Sequence, residues 1–272
     1  MMEYVKCNLC GADNFLLWGT KNGIDIVKCR DCGLIYCNPR PDSDELQKFY
    51  NGNYFIEGNY EEDIQRQKMY EIEIKEIMDN ISQGGEFLDV GCAMGKFLAT
   101  LPDTFEKWGV EFSEAASKMG KDRFGLKIIT GQIRNTDLPE KYFDIVQMRG
   151  VLEHSQDPYE DLLSIKKVLD DDGILRISQL PNINSICGKL FRTRFNQVKP
   201  GEHLYYFSPR TIEALLDKTG FKITSLRYPY LDTPYASLPK DVLDMLTFFL
   251  NEKESPAFFG NMMVVYAKKK GR

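Results

Sequence analysis

The chain has 272 residues, 43% of them apolar and 12% aromatic, enough for one sizeable core or a core plus a small module. That composition excludes intrinsic disorder, and a net charge of −5 gives the surface as a whole no attraction for nucleic acid. The opening MMEYVKCNLC has no apolar run of signal-peptide length and no segment approaches a membrane span, so the chain reads as soluble and cytoplasmic, without a membrane partner.

The first element is a pair of identical cysteine spacings, Cys7-x-x-Cys10 and Cys29-x-x-Cys32, eighteen residues apart. Each pair can direct two thiolates at one point, and two pairs complete a tetrahedron around Zn²⁺. Between them, apolar residues alternate (Phe15, Leu17, then Ile24, Ile26) around Asn22-Gly23, a hairpin signal. The expectation is a zinc ribbon over residues 1–41 with a structural metal, since four thiolates leave no open position. The alternative is four unrelated buried cysteines. Cys37, Cys92 and Cys187 read as unpaired.

Residues 42–83 read as a helical linker: a helix over 43–50, a Tyr/Gly/Asn-rich loop from Tyr50 to Tyr60, and an amphipathic helix from Glu61 to Ile81 that covers the next domain. From 84 to 272 the patterns alternate. Strands are predicted at 86–90, 107–111, 126–130, 143–147, 173–178, 221–228 and 262–268, with helices at 95–101, 114–122, 159–169 and 209–219. This alternation predicts an α/β fold of Rossmann type, a mainly parallel sheet with helices on both faces, and places a ligand at the carboxyl ends of the strands. Insertions near 182–208 and 229–261 fall on the acceptor side, the second holding an amphipathic helix at 238–250.

Four features gather at those strand ends. In FLDVGCAMGKFL, Asp89 and Gly91 close a strand and Gly95 opens a helix. Counting from Gly91, Ala93 and Lys96 fall where a dinucleotide fingerprint needs glycines, and no Gly-Lys-Ser/Thr follows, so the turn is not built for a pyrophosphate. Glu111, twenty residues beyond Gly91, can accept from both hydroxyls of a ribose. Gly131-Gln132-Ile133 offers an acceptor and a backbone N–H to an adenine edge. Arg149-Gly150-Val151-Leu152-Glu153-His154 ends the fourth strand. The set describes an adenosine-sized ligand without a phosphate cradle.

LDVGCAMG, GVEFS, FDIVQMRGVLEHSQDP and DDGILRISQLPN resemble the successive motifs of class I S-adenosylmethionine-dependent methyltransferases, over roughly residues 84–225. The resemblance implies that Asp89, Gly91 and Gly95 line the methionine part, that Glu111 holds the ribose, and that Gln132 and Ile133 flank the adenine. Cys92, Ala93, Phe112 and Arg149 complete the implied cofactor-lining set. The family commonly has an acid where Gln132 stands, which implies re-tuned adenine binding. An α/β domain that has lost its ligand is the bland counterpart. The ribbon ending in GLIY and NPRP, with GEHLYYFSP at 201–209, resembles zinc-ribbon methyltransferases of sugar, surface-polysaccharide and natural-product pathways. Sugar C-methyltransferases are similar too, but carry a further C-terminal domain for which this chain is too short.

Only two histidines occur, His154 and His203, each expected near the pocket. A neutral imidazole can take a hydroxyl proton as the methyl group arrives. His203 is weighed as a base, His154 more as a structural group, with Glu202 and Tyr205 in reserve. Lys189, Arg192, Arg194, Lys199 and Arg210 face only Glu202 over 183–210, a local excess that suits an anionic or nucleotide-linked small-molecule acceptor, or simply a solvated loop. A sugar or related metabolite hydroxyl is the leading acceptor. The alternatives are an RNA methyltransferase that grips RNA with the ribbon, and a non-catalytic ribbon module that binds a protein partner. Against RNA, residues 1–41 carry five basic residues (Lys6, Lys21, Lys28, Arg30, Arg40) against four acids (Glu3, Asp13, Asp25, Asp31), too small an excess for strong phosphate binding.

Overall fold

The computed structural model describes residues 1–51 and 64–271. The predicted Tyr50–Tyr60 loop, beyond its first two residues, and the first turn of the 61–81 helix lie outside the described residues.

The ribbon is built from β1 (Met2–Glu3), β2 (Phe15–Lys21), β3 (Ile24–Cys29), β4 (Ile35–Cys37) and β5 (Arg40–Pro41). Asn22 and Gly23 both take positive φ, 53° and 76°, the geometry of a tight hairpin that matches strand twist. Phe15 and Ile26 turn inward as the alternation predicts. A register shift between Leu17 and Gly19 breaks the period, and Leu17 is left 60% exposed. Helices α1 (Ser43–Asn51) and α2 (Ile64–Asn80) follow.

The main sheet contains β6 (Gly85–Val90), β7 (Phe105–Glu111), β8 (Lys127–Thr130), β9 (Phe143–Arg149), β10 (Leu169–Pro181), β12 (Phe221–Arg227) and β13 (Met262–Lys269). Its order is β12-β13-β10-β9-β6-β7-β8, with β13 antiparallel to both neighbours and the other pairs parallel. The chain runs outward from β6 to β8 and then restarts at β9 on the other side of β6. The switch point therefore lies between β6 and β9, and their carboxyl ends open the crevice. The helices are α3 (Lys96–Thr100), α4 (Glu114–Phe124), α5 (Pro158–Val168), α6 (Ile186–Phe191), α7 (Pro209–Lys218) and α8 (Leu238–Leu250). Among the described residues no helix is long and apolar enough to cross a membrane.

Successive residues of each central strand feed opposite cores, as a period of two requires. Phe87 and Ile145 join Tyr70, Ile74 and Ile77 of α2, so α2 covers one face. Leu88 and Val146 join Leu162, Ile165, Ile212 and Leu215 of α5 and α7 on the other. Cys7, Leu9, Val27 and Tyr36 of the ribbon belong to that second core as well.

The ribbon is also tied in by hydrogen bonding. β11 (Tyr205–Tyr206), within the first insertion, pairs antiparallel with β4, Tyr205 opposite Tyr36 and Tyr206 opposite Ile35. Arg40, almost fully buried, donates to the Gln156 carbonyl and the Tyr205 hydroxyl, both at 2.7 Å. Two residues of strand are too few for a sequence pattern to announce, and the pairing partner lies about 170 positions away.

Candidate active site

The turn after β6 sets the floor of the crevice. Gly91 and Gly95 adopt φ of +74° and +75°, where a side chain is strained. A Cβ on Gly91 would collide with Val151, and one on Gly95 with Leu126. The room these glycines clear is thus filled by the protein's own side chains. That packing lets the turn fold back and leave its upper surface open. Gly91, Cys92, Ala93 and Met94 line the crevice, whereas Gly95 does not, because it caps α3 and faces inward.

Glu111 ends β7 and points at this turn. Its Oε2 accepts from the Ala93 N–H and its Oε1 from the Ser113 N–H, each at 2.7 Å. Burial raises its carboxyl above the usual range, and the two amides pull it back down. Asp89 is buried at the end of β6, where burial pushes it up to about 7 against the pull of the Gln147 amide at 3.4 Å and of the Arg149 and Arg176 charges. Phe112, Gln132, Ile133 and Arg149 complete the lining on the same side, and Gln132 donates its amide to Gln156 at 3.3 Å.

Above these lie residues that sequence reasoning left aside. Tyr50 of α1 and Tyr70 of α2 close over the crevice. Glu73, one turn along from Tyr70, is buried and receives Arg149, Arg176 and Gln179. Burial would raise its carboxyl, but the two guanidinium charges outweigh it and hold it below the ordinary range. This network pins α2 onto the sheet and fixes Arg149 with its guanidinium 4.7 Å from the Tyr70 ring centre. Its one sequence signal was a carboxylate inside the apolar stripe Met69, Tyr70, Ile74, Ile77.

At the other end, His154 lines the crevice, but His203, Glu202 and Tyr205 do not. The His154 Nδ1 lies 3.0 Å from the Glu202 carbonyl and 3.1 Å from the Tyr50 hydroxyl. His203 is buried directly behind it, rings edge to face with centres 4.6 Å apart, and its Nδ1 is 2.8 Å from the Gln197 carbonyl. Burial lowers His154 to about 4 and His203 well below its usual value, so both rings are neutral at physiological pH. Glu202 acts through its backbone carbonyl. Tyr205 is committed to Arg40 and the Gln156 carbonyl, and burial pushes its hydroxyl far above the ordinary range.

None of Lys189, Arg192, Arg194, Lys199 and Arg210 reaches the crevice. Arg192 donates to the Trp18 carbonyl at 2.6 Å and Arg194 to the Lys253 carbonyl at 3.3 Å, so this part of the basic loop holds the fold together. The four ribbon cysteines converge, with Sγ–Sγ distances of 3.4 Å for Cys7–Cys32 and 3.5 Å for Cys10–Cys29 and all four atoms within 4.8 Å of one another. A tetrahedron with bonds of about 2.3 Å spaces its sulfurs by about 3.8 Å, so the set fits a zinc ion with little movement.

A family described as a methyltransferase domain matches residues 60–226. An uncharacterized protein of Methanocaldococcus jannaschii, MJ1252, is 24% identical over 217 residues, 78% of this chain and 79% of that protein. Among solved structures, the 1,6-didemethyltoxoflavin-N1-methyltransferase of Burkholderia thailandensis, with bound 1,6-didemethyltoxoflavin and S-adenosylhomocysteine, aligns with a TM-score of 0.58 and 14% identity over 95% of this chain and 100% of that one. The magnesium protoporphyrin IX methyltransferase of Synechocystis, with bound S-adenosylhomocysteine, gives 0.57 and 16% over 85% and 100%. A SAM-dependent methyltransferase of Archaeoglobus fulgidus gives 0.56 and 18% over 80% and 100%. At such identities the structural likeness establishes the fold.

Proposed function

The chain belongs to the methyltransferase-domain family, and from that premise we propose that this SAM-dependent enzyme methylates a hydroxyl of a small polyhydroxylated metabolite, a sugar or nucleotide-linked sugar. S-adenosylmethionine is assigned to the crevice, its ribose hydroxyls on Glu111, its methionine end over Asp89 and the Gly91–Met94 turn, and its adenine beside Gln132 and Ile133. Two solved structures of this fold hold the demethylated cofactor, which supports S-adenosylmethionine as the ligand.

The observation that carries the small-molecule reading is what the ribbon does. Its strand β4 is extended by β11, and its apolar side is sunk in the main core. The ribbon thus serves as a strut for the loop that closes the acceptor end, which gives it a use without RNA. A structural Zn²⁺ on Cys7, Cys10, Cys29 and Cys32 fits this role, closing the ribbon with four thiolates.

In the reaction, a lone pair of the acceptor oxygen forms the new O–CH₃ bond as the C–S bond breaks and its electron pair returns to sulfur. The hydroxyl proton leaves at the end of the crevice that His154 lines, with His203 packed behind that ring. Most of the rate comes from alignment of oxygen, methyl and sulfur.

The test is a partition of label. Purified protein, methyl-labelled S-adenosylmethionine and a cell extract split into small-molecule and RNA fractions are incubated, and both fractions are counted. Label in the small-molecule pool, reduced in His154→Ala, supports the proposal. Label in RNA overturns it and makes the ribbon a recognition element.

A further inference from the structure

His154 and His203 share one feature. Each Nδ1 sits against a backbone carbonyl, Glu202 at 3.0 Å and Gln197 at 2.8 Å. A carbonyl can only accept, so each Nδ1 carries the proton and each Nε2 carries a lone pair. The carbonyls thereby fix both tautomers and both ring planes, the role outer partners play around metal-bound imidazoles.

The third member is Glu153. Its side chain is 97% buried, and among the described residues its Oε2 has no hydrogen-bond partner and no Lys or Arg pairs with it. Its Oε1 lies 3.8 Å from the His154 Nε2, too far for a shared proton. One donor atom from each of Glu153, His154 and His203 lies within 4.8 Å of the other two. Three atoms so spaced sit at most about 2.8 Å from a common centre, and metal–nitrogen and metal–oxygen bonds of about 2.0–2.2 Å need only a small inward adjustment. A carboxyl group and two imidazoles thus converge in a buried place.

We propose that Glu153, His154 and His203 form a second metal site, separate from the four cysteines, which takes a divalent transition-metal ion at the acceptor end of the crevice. Two imidazoles and a carboxylate suit zinc, cobalt, iron or manganese, and the protein supplies three ligands, leaving positions open. Of the three, His154 lines the crevice, which puts the site beside it. Resting on the methyltransferase reading for what fills the crevice, the site narrows the acceptor to one with two oxygens on adjacent carbons, such as a vicinal diol or a 2-hydroxy carbonyl compound. With the ion bound, both Nε2 lone pairs are committed to it. The ion's charge then eases loss of the hydroxyl proton, which passes to water.

The probe is Co²⁺. Full-length protein carrying one zinc per chain is dialysed against Co²⁺ and its metal content measured, with S-adenosylmethionine binding followed by calorimetry on the same samples. One zinc and one cobalt per chain are expected in the parent protein. Glu153→Gln, which keeps the shape of the side chain, should retain zinc and cofactor binding while cobalt affinity falls at least about ten-fold. His203→Ala should behave alike. Failure of the parent protein to take up cobalt beyond its zinc, or equal uptake by Glu153→Gln, overturns the site even where cofactor binding is normal. Cobalt uptake without cofactor binding leaves the metal site standing and overturns the methyltransferase reading and the acceptor assignment built on it.

Discussion

Glu111 and Glu153 are both buried glutamates near the carboxyl ends of parallel strands, yet they are treated in opposite ways. Glu111 accepts a backbone N–H on each oxygen, and its remaining lone pairs face the crevice. Glu153 is supported only weakly among the described residues, by its own backbone N–H, with Oε2 unpartnered and Oε1 3.8 Å from an imidazole, and burial pushes it up to about 8. A carboxylate already steadied by the protein suits a neutral diol, which needs only acceptors. One so weakly supported is suited to a partner that brings positive charge. On the readings proposed above, the two glutamates serve different ligands.

The ribbon gives the sharpest way to break this contrast. The Leu204 and Tyr205 N–H groups hold the Glu153 carbonyl, and Tyr205 is paired to β4. Stripping the proposed zinc, or Cys29→Ser, should lower amide protection in β3, β4 and β11 by at least ~10³-fold in hydrogen exchange, since a structural zinc site contributes on the order of 10 kcal/mol. Protection in β6 and β7, around Glu111, should change little. Equal loss at both ends would show that the crevice is a single cooperative unit. Next in size, Glu111→Gln should weaken S-adenosylmethionine binding by about 100-fold, because an amide turns an NH₂ toward one of the two backbone donors. Glu153→Gln should stay within about two-fold in the same calorimetric titration.

A pH profile sharpens the Glu111 end further. Asp89 titrates at about 7 in the fold against its ordinary 3.8, so it is protonated below neutrality. A cationic ligand favours the carboxylate, so cofactor binding should release a proton, and affinity should rise up to about ten-fold per pH unit below 7 and level off above it. Asp89→Asn should flatten the profile. The sign for stability is the reverse: the ligand-free fold holds this proton more tightly than the unfolded chain, so the contribution is full below about pH 4 and declines as pH climbs to about 7. The smallest effect is expected from Gln132→Glu, which restores an acid beside the adenine and should tighten binding by a few-fold.

Much of this was legible in the chain before any coordinates. Alternating apolar runs located every strand of the main sheet, because a buried strand needs a continuous apolar stretch and a turn at each end. One wall of the crevice was legible for the same local reason: Asp89, Gly91 and Glu111 sit at strand ends that the pattern marks. Gly95 was assigned to the lining and instead packs against Leu126, since a glycine's spacing does not tell which neighbour occupies its missing side chain. The basic loop suits either an anion site or a solvated surface on its sequence, yet Arg192 and Arg194 bind backbone carbonyls whose positions no local pattern reveals.

The sequence by itself determined the element order, the parallel α/β plan, the cysteine set and the residues gathered at the carboxyl ends of β6 and β7. Each depends on neighbours a few residues apart or on a spacing repeated in the chain. Only the tertiary structure decided that Glu73 would anchor α2 through Arg149 and Arg176, that β11 would complete the ribbon sheet, and that His203 would arrive behind Glu153 and His154. Those contacts join residues from about 50 to more than 160 positions apart, and each exists because burial brings a polar group to the partners that remain within reach.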